Sequence, residues 1–242
     1  MDDIKKFVWW GIGGAVALAL LFIIAIVAFQ AGPEREDTAS GPERGDTQAR
    51  KEEEEQPTRR EVDTQSFEGT ERTARPSFKA AGGLTIFRLT HAGRQNFVVL
   101  VKQGDRIASL VVNTVGPFDG SKAVGLPAGD YTMDIRSSGR WTVEVDQPIP
   151  GSAASLPQKF EGKGQGATSF FRLKAGNANF RMTHQGDGIF APNLVKADGT
   201  PVTLLANEVK RYSGSKQVPV PEDGIYLIDV IATDPWTIDV SQ

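Results

Sequence analysis

Two histidines are the side chains of this sequence best suited to acid–base or metal chemistry. His91 and His184 occupy equivalent places, because residues 87–91 (FRLTH) recur as residues 180–184 (FRMTH). A zinc site needs three or four nitrogen, sulfur or oxygen ligands at defined spacing, and one histidine per copy does not supply them. We therefore expect each imidazole to be partly buried and to fix the turn after its strand. A ligand-contacting or pH-sensitive role is the alternative.

Basic side chains at equivalent positions form the second candidate set. Lys122 and Lys216 each end a Gly-Ser-Lys triplet, which lacks the G-x-x-x-x-G-K-[ST] spacing of a phosphate loop. We expect each triplet to be a turn with an exposed lysine. The candidate binding residues are His91, His184, Arg88, Arg181, Lys122 and Lys216.

Aspartates are also repeated, at Asp134 and Asp229. The alternation of polar and apolar residues predicts that both face outward on strands, as Arg88 and Arg181 do. We expect exposed cross-strand ion pairs between these arginines and aspartates.

Signatures of catalysis are missing from the sequence. It contains 0 cysteines, which excludes disulfides, thiolate metal sites and a cysteine nucleophile. It has no G-x-S-x-G, H-E-x-x-H or dinucleotide fingerprint. A formal net charge of -3 gives no basic field for nucleic acid. The sequence therefore predicts no enzymatic activity, no catalytic residue, no cofactor, no metal site and no nucleic-acid partner.

Repeated aromatic residues offer a different chemistry. Tyr131 and Trp141 recur as Tyr226 and Trp236, and rings of this kind can stack on sugars. All four alternate with polar residues, as side chains directed into a core do. We expect core positions, with sugar-stacking platforms as the alternative.

An internal duplication organises these residues into two modules. Residues 67–69 (FEG) recur as 160–162, and the matches continue to the end of the chain. We define module 1 as residues 67–147 and module 2 as residues 160–242, joined by the linker 148–159. Short period-two segments separated by Gly- and Asp-rich turns predict an all-β fold, each module being an antiparallel β-sandwich or jelly roll.

One difference between the copies concerns a strand. Residues 97–101 are apolar on both faces, which predicts a central, covered strand. The counterpart in module 2 contains Pro192, which cannot donate a ladder hydrogen bond. That segment is predicted to bulge or to lie at a sheet edge.

The Gly-x-Tyr pattern at 129–131 and 224–226, followed by a Trp-Thr closing strand, carries a resemblance. It resembles β-sandwich modules of bacterial and archaeal envelope proteins and is distantly similar to pre-peptidase C-terminal domains. The resemblance implies a jelly-roll-like fold in an extracytoplasmic setting, and it brings no functional residues.

An anchor precedes the modules. Residues 7–29 form an uninterrupted apolar run, about 34 Å long as a helix at ~1.5 Å per residue. This length spans a bilayer core of roughly 30 Å and exceeds that of a cleavable signal peptide. Lys5 and Lys6 favour a cytoplasmic tail at residues 1–6. We predict an uncleaved, single-pass signal anchor in the cell membrane with the modules outside.

Two further features precede the modules. A stripe of Gly11, Ala15 and Ala19 would let two anchor helices approach closely, although such residues are common in membrane helices. Residues 30–66 are charged and nearly devoid of apolar side chains, so we predict a disordered spacer.

Together these features predict a non-enzymatic, membrane-anchored envelope protein that displays two binding modules to a protein or glycan partner. An accessory subunit of a larger membrane complex is the first alternative, and an envelope enzyme acting on glycans is a minor one.

Overall fold

The structure is a computed structural model that describes residues 63–70 and 72–242. The predicted tail 1–6, the anchor 7–29, its small-residue stripe and nearly all of the spacer lie outside the described residues. Within the described ranges, no helix is long and apolar enough to cross a membrane. This part of the chain is all-β, with several antiparallel sheets.

Module 1 is built from two facing sheets. Its strands are β1 (Gln65–Gly69), β2 (Thr73–Ala74), β3 (Ser77–Ala80), β4 (Gly83–His91), β5 (Asn96–Gln103), β6 (Arg106–Val115), β7 (Phe118–Leu126), β8 (Gly129–Arg136) and β9 (Trp141–Asp146). The β4 sheet has the order β1-β9-β4-β7, and the β5 sheet has the order β2-β8-β5-β6, with β3 also paired to β8. Strand β1 starts at Gln65, opposite Val145, so the predicted spacer boundary falls inside a strand.

Module 2 repeats this plan. Its strands are β10 (Gln158–Lys163), β11 (Gly166–Ala167), β12 (Phe171–Leu173), β13 (Gly176–His184), β14 (Ile189–Lys196), β15 (Pro201–Leu204), β16 (Glu208–Val209), β17 (Tyr212–Val220), β18 (Gly224–Ala232) and β19 (Pro235–Ser241). The β13 sheet has the order β10-β19-β13-β17. The β14 sheet has the order β11-β18-β14-β15, with β12 paired to β18 and β16 paired to β14.

The pairing within each module is nested. In module 1 the first strand pairs with the last, β2 and β3 pair with β8, β4 pairs with β7, and β5 pairs with β6. The same nesting joins the ten strands of module 2. Two sheets wound from one long folded hairpin are the topology of a jelly roll. Because nested pairing brings the ends of a module together, β1 lies beside β9 and β10 lies beside β19.

The cores follow the period-two pattern of the sequence. Phe87 and Leu89 of β4 are buried, whereas Arg88 between them is exposed. Trp141 and Trp236 are 2% and 5% exposed, which confirms their assignment to the core and excludes exposed sugar platforms.

The two buried tyrosines make the same kind of hydrogen bond in each module. The Tyr131 hydroxyl donates to the Pro127 carbonyl at 3.0 Å, and the Tyr226 hydroxyl donates to the Glu222 carbonyl at 2.8 Å. Burial raises the pKa of both phenols, because an apolar environment disfavours the phenolate. These rings are core residues with a satisfied polar end.

Pro192 is accommodated differently from the sequence prediction. Strand β14 is central, between β18 on one side and β15 with β16 on the other. The partner strand is interrupted opposite Pro192, where Leu205 donates its N–H to the proline carbonyl at 2.8 Å. A register irregularity follows between Leu194 and Val195. The missing N–H therefore faces a gap in the neighbouring strand rather than an edge of the sheet.

The predicted covered strand, β5, is covered on one face only. Phe97, Val99 and Val101 are buried in the core. Val98 and Leu100 point to the opposite face and are half-buried, so the outer surface of the β5 sheet stays accessible.

Candidate functional site

The two histidines are buried core residues. His91 is 3% exposed, stacks on Phe97 with ring centroids 4.5 Å apart, and donates Nδ1–H to the Gly116 carbonyl at 2.8 Å. His184 is 1% exposed, stacks on Phe190 at 5.1 Å, and donates Nδ1–H to a backbone carbonyl at 3.1 Å. Each imidazole thus ties the end of one strand to a distant turn, and the burial is deeper than the sequence predicted.

The predicted ion pairs between arginines and aspartates are wrong. Arg88 lies 3.5 Å from Asp146 on the neighbouring strand. Arg181 is exposed on β13, in the sheet opposite the one that contains Asp229. Asp134 and Asp229 belong to β8 and β18, in the opposite sheet of each sandwich, so neither arginine can reach the aspartate of its own module across a strand pair.

The Gly-Ser-Lys triplets lie inside strands β7 and β17, not in turns. Lys122 is largely buried and forms an ion pair with Asp229, whose side chain is 3% exposed. The second carboxylate oxygen of Asp229 accepts the Ala123 N–H at 2.9 Å. Lys216 is exposed and donates to the Leu204 carbonyl at 2.6 Å. Equivalent lysines therefore have different partners.

The Lys122–Asp229 pair lies in a junction between the two modules. An apolar cluster surrounds it, formed by buried Leu84, Ile86 and Ala123 of module 1 with Val195 and Leu227 of module 2. Part of the outer face of the β4 sheet and part of that of the β14 sheet are thereby covered. The two modules belong to one compact unit.

Backbone contacts complete the junction. The edge strand β7 has N–H groups without a strand partner, and Ser121 donates one of them to the Gln165 carbonyl at 3.4 Å. Gly199 has a φ of +89°, and a Cβ built there would lie 2.7 Å from the Gly125 Cα. Such close approach of two backbones fixes the position of module 2 against the edge of module 1.

A cleft at the loop end of module 1 gathers positive charge. Its volume is about 840 Å³, and it is open to solvent. Three exposed arginines line it: Arg72 before β2, Arg94 in the β4–β5 loop, and Arg136 at the end of β8. The described residues that line the cleft include no carboxylate. Of the carboxylates in the described ranges, none forms an ion pair with these arginines.

Hydrogen bonds hold the loops that form this cleft. Gln95 donates its N–H to Ser138 Oγ at 2.9 Å, and Ser137 donates its N–H to the Arg72 carbonyl at 3.0 Å. A Cβ at Gly93 would collide with both Ser138 Oγ and His91 Nε2, so only glycine fits there. The cleft floor is therefore set by the backbone before any ligand arrives.

One polar atom beneath the floor lacks a partner. Nε2 of His91 is buried and makes no hydrogen bond within the described structure. Because His91 donates through Nδ1, a neutral imidazole presents Nε2 as an acceptor. This atom lies against Gly93, which lines the cleft.

The equivalent corner of module 2 has aspartates at two positions where module 1 has an arginine and a glycine. By the internal repeat, Arg94 corresponds to Asp187 and Gly139 corresponds to Asp234. There His184 Nε2 lies 3.9 Å from an Asp234 carboxylate oxygen. The basic cleft therefore belongs to module 1 alone.

The three arginines were not predicted from the sequence. They are far apart in the chain and have no arginine counterparts in module 2, so the internal repeat does not identify them. The signal that could have identified them is the difference between the two copies of the repeat. Arg72 corresponds to Gln165, and Arg94 corresponds to Asp187.

Groups that could hold a metal ion are missing from the described residues. No cluster of three or more His, Cys, Asp or Glu side chains occurs among them. The cleft has arginines, amides and hydroxyls instead, a donor set suited to oxyanions.

Comparisons with known proteins give weak structural similarities. No protein family matches this chain, and no curated protein sequence matches it. A conserved protein of unknown function from Pseudomonas aeruginosa PAO1 is 15% identical over 74% of this chain and 78% of that chain, with a TM-score of 0.23. The N-terminal CBM22-1–CBM22-2 tandem domain of Xyn10C from Paenibacillus barcinonensis is 8% identical over 73% and 86%, with a TM-score of 0.24. The stem and receptor binding domain of spike protein P1 from bacteriophage PM2 is 9% identical over 77% and 100%, with a TM-score of 0.23. Superpositions at these TM-scores define no relationship.

Strand pairing thus places the described chain in a structural class, that of two jelly rolls fused through a buried junction.

Proposed function

We propose that this chain is a non-enzymatic interaction protein that holds a fixed pair of jelly rolls outside the cell membrane and binds an anionic partner. Residues 7–29 anchor it, and the spacer sets the distance from the bilayer. The partner is a protein or a glycan that carries negative charge. The arginine cleft of module 1 is the observation that carries this proposal.

Three guanidinium groups of the same charge line one cleft. Arginine keeps its charge at physiological pH, so the cleft keeps a positive potential unless an anion enters. Each guanidinium can bind a carboxylate, sulfate or phosphate through two parallel hydrogen bonds. Arg72, Arg94 and Arg136 therefore favour an anionic ligand and raise its rate of association.

Binding suits this cleft better than catalysis. An activated serine needs a hydrogen bond to a general base, and Nε2 of His91 makes none within the described structure. Ser138 Oγ instead accepts the Gln95 N–H. A guanidinium cannot exchange protons near neutral pH. The described lining residues thus provide oxyanion donors without a paired nucleophile and base.

The junction supports presentation of the cleft at a fixed orientation. The buried pair of Lys122 with Asp229, together with the surrounding apolar cluster, joins module 2 to the side of module 1. A binding loop on a rigid body loses less conformational entropy when it captures a ligand.

One observation favours the alternative, an accessory subunit of a larger membrane complex. Strand β6, on the outer surface of the β5 sheet, carries exposed apolar side chains: Ile107 is 47%, Leu110 37% and Val115 72% exposed. Exposed apolar side chains grouped in this way are typical of protein contacts.

The proposal is tested with the full-length chain purified in detergent and immobilised. An extract of the cell envelope is passed over the wild type and over a variant with R72Q, R94Q and R136Q. The control variant carries R172Q, R181Q and R211Q, three exposed arginines of module 2. We expect one envelope component to bind the wild type and the control variant and to be released from both by salt. The same component should not be retained by the cleft variant. Equal retention by both variants would contradict the proposal.

A further inference from the structure

We propose that the ligand of the arginine cleft is an acidic glycan, an oligosaccharide whose sugars carry carboxylate or sulfate groups. This inference rests on the proposed binding function and names its ligand class. The expected ligand is a carbohydrate, and preferential binding of an acidic polypeptide would replace it.

The size of the cleft fits a short oligomer. Its volume of about 840 Å³ lies within the range of roughly 300–1,000 Å³ that small-molecule sites occupy. A single inorganic anion would fill a small part of this space. The arginines come from three separate segments around the cleft, so they can meet charges on more than one sugar.

The remaining lining residues suit sugar hydroxyls. Gln95, Asn96 and Ser138 are exposed, and their amides and hydroxyl both donate and accept hydrogen bonds. A polyhydroxylated ligand uses such a set more fully than a simple anion does.

A protein partner would need apolar anchors that the cleft lacks. Binding hot spots between proteins are enriched in Trp, Tyr and Arg and surround a desolvated apolar centre. Among the described lining residues there is no aromatic ring, and the one large apolar side chain is Val115. The absence of aromatic rings there also disfavours neutral sugars, which bind mainly by stacking.

The repeat predicts one site per chain. In module 2, Asp187 and Asp234 occupy the positions of Arg94 and Gly139, and their charge would repel an acidic glycan. We therefore expect a stoichiometry of one oligosaccharide per chain, although the fold is duplicated.

Isothermal titration calorimetry on the full-length chain in detergent tests the inference. The probes are oligogalacturonates of four to six sugars, their methyl esters, sulfated heparin-type oligosaccharides and oligoglutamate peptides of matched charge. We expect 1:1 binding of at least one acidic oligosaccharide, weakening with salt, and no binding of the methyl esters. R94Q alone should weaken binding about tenfold and the triple variant further, while the module 2 control stays unchanged. Circular dichroism melts of each variant show whether the fold is intact.

Other outcomes overturn the inference in distinguishable ways. Stronger binding of oligoglutamate than of any glycan, with loss in the triple variant, would replace the glycan with an acidic polypeptide and leave the proposed function standing. Binding of methyl esters equal to that of the acids would also overturn it. If none of the probes binds but an envelope component is still captured through the arginines, the glycan assignment is wrong and the proposed function stands. If the arginine substitutions change neither experiment, both proposals fail.

Discussion

Lys122 of the first jelly roll forms a buried ion pair with Asp229 of the second, across the junction between the modules. The carboxylate of Asp229 also accepts the N–H of Ala123 on the edge strand β7. It thus replaces the neighbouring strand that this edge lacks. The corresponding residues of the internal repeat, Lys216 and Asp134, make no such contact with each other.

Removal of one partner of this pair should destabilise the protein strongly. Asp229→Ala leaves a largely buried ammonium and a backbone N–H without an acceptor, so we expect a loss of about 3–5 kcal/mol in the free energy of unfolding. Denaturant titration measures this change. Asp134→Ala is the matched control, because Asp134 has the same place in module 1 and an unpaired carboxylate oxygen. Equal losses at the two positions would contradict the assigned role of the pair.

The close backbone contact at Gly199 predicts a steric effect at the junction. Gly199→Ala adds a Cβ that meets the Gly125 backbone and the Leu84 nitrogen at 2.9 Å. Gly116→Ala is the control, since Gly116 has a similar φ of +95° and nothing within 4 Å of the added Cβ. Both changes carry backbone strain of about 1–2 kcal/mol, and only the first displaces module 2. Limited proteolysis should detect new cleavage in the linker 148–159 for Gly199→Ala alone.

The indole N–H groups of the two core tryptophans should respond differently to Trp→Phe. Trp236 donates Nε1–H to the Gly164 carbonyl at 2.9 Å, whereas the buried Nε1 of Trp141 lacks a partner within the described structure. Trp236→Phe removes the hydrogen bond to the Gly164 carbonyl, which contributes about 1 kcal/mol to stability, and it also removes side-chain volume from the core. Trp141→Phe loses only the volume, so its melting temperature should fall less. The reverse order would show that the hydrogen bond does not stabilise module 2.

Full replacement of either tryptophan tests the core itself. Trp141→Ala and Trp236→Ala each remove a large buried side chain, and we expect a loss of about 3–5 kcal/mol. Thermal melts followed by near-UV circular dichroism measure it. A melting temperature that stays nearly unchanged would contradict burial of these rings.

The anchor and the spacer are tested on intact cells or vesicles. We expect the full-length chain to stay with membranes after alkaline extraction, and external trypsin to cut between residues 31 and 66. Deletion of residues 7–29 should release the chain into the soluble fraction. Alkaline release of the full-length chain would contradict the anchor, and protection from external trypsin would place the modules inside.

Most of the fold was predictable from local pattern. Alternation around Phe87 and Trp141 identified which side chains enter the core, because side chains on a strand point to opposite faces with period two. The repeat predicted two copies of one module. It could not predict that the partner strand would break opposite Pro192, since that depends on a neighbour distant in the chain.

The site was less predictable, for the same physical reason. The conserved pattern between copies pointed to Lys122 as an exposed turn residue, but contact with Asp229, 107 positions away, buries it. Arg72, Arg94 and Arg136 look like scattered surface charges until nested strand pairing brings their segments to one end of module 1.

The sequence by itself thus determined the class of the elements, the duplication and the buried faces, because each follows from the types of residues near one another along the chain. The tertiary structure alone decided which module covers which sheet, which of two equivalent lysines is buried, and where positive charge accumulates. Those outcomes depend on distances between residues far apart in sequence, and charge interactions fall with distance in space rather than with separation along the chain.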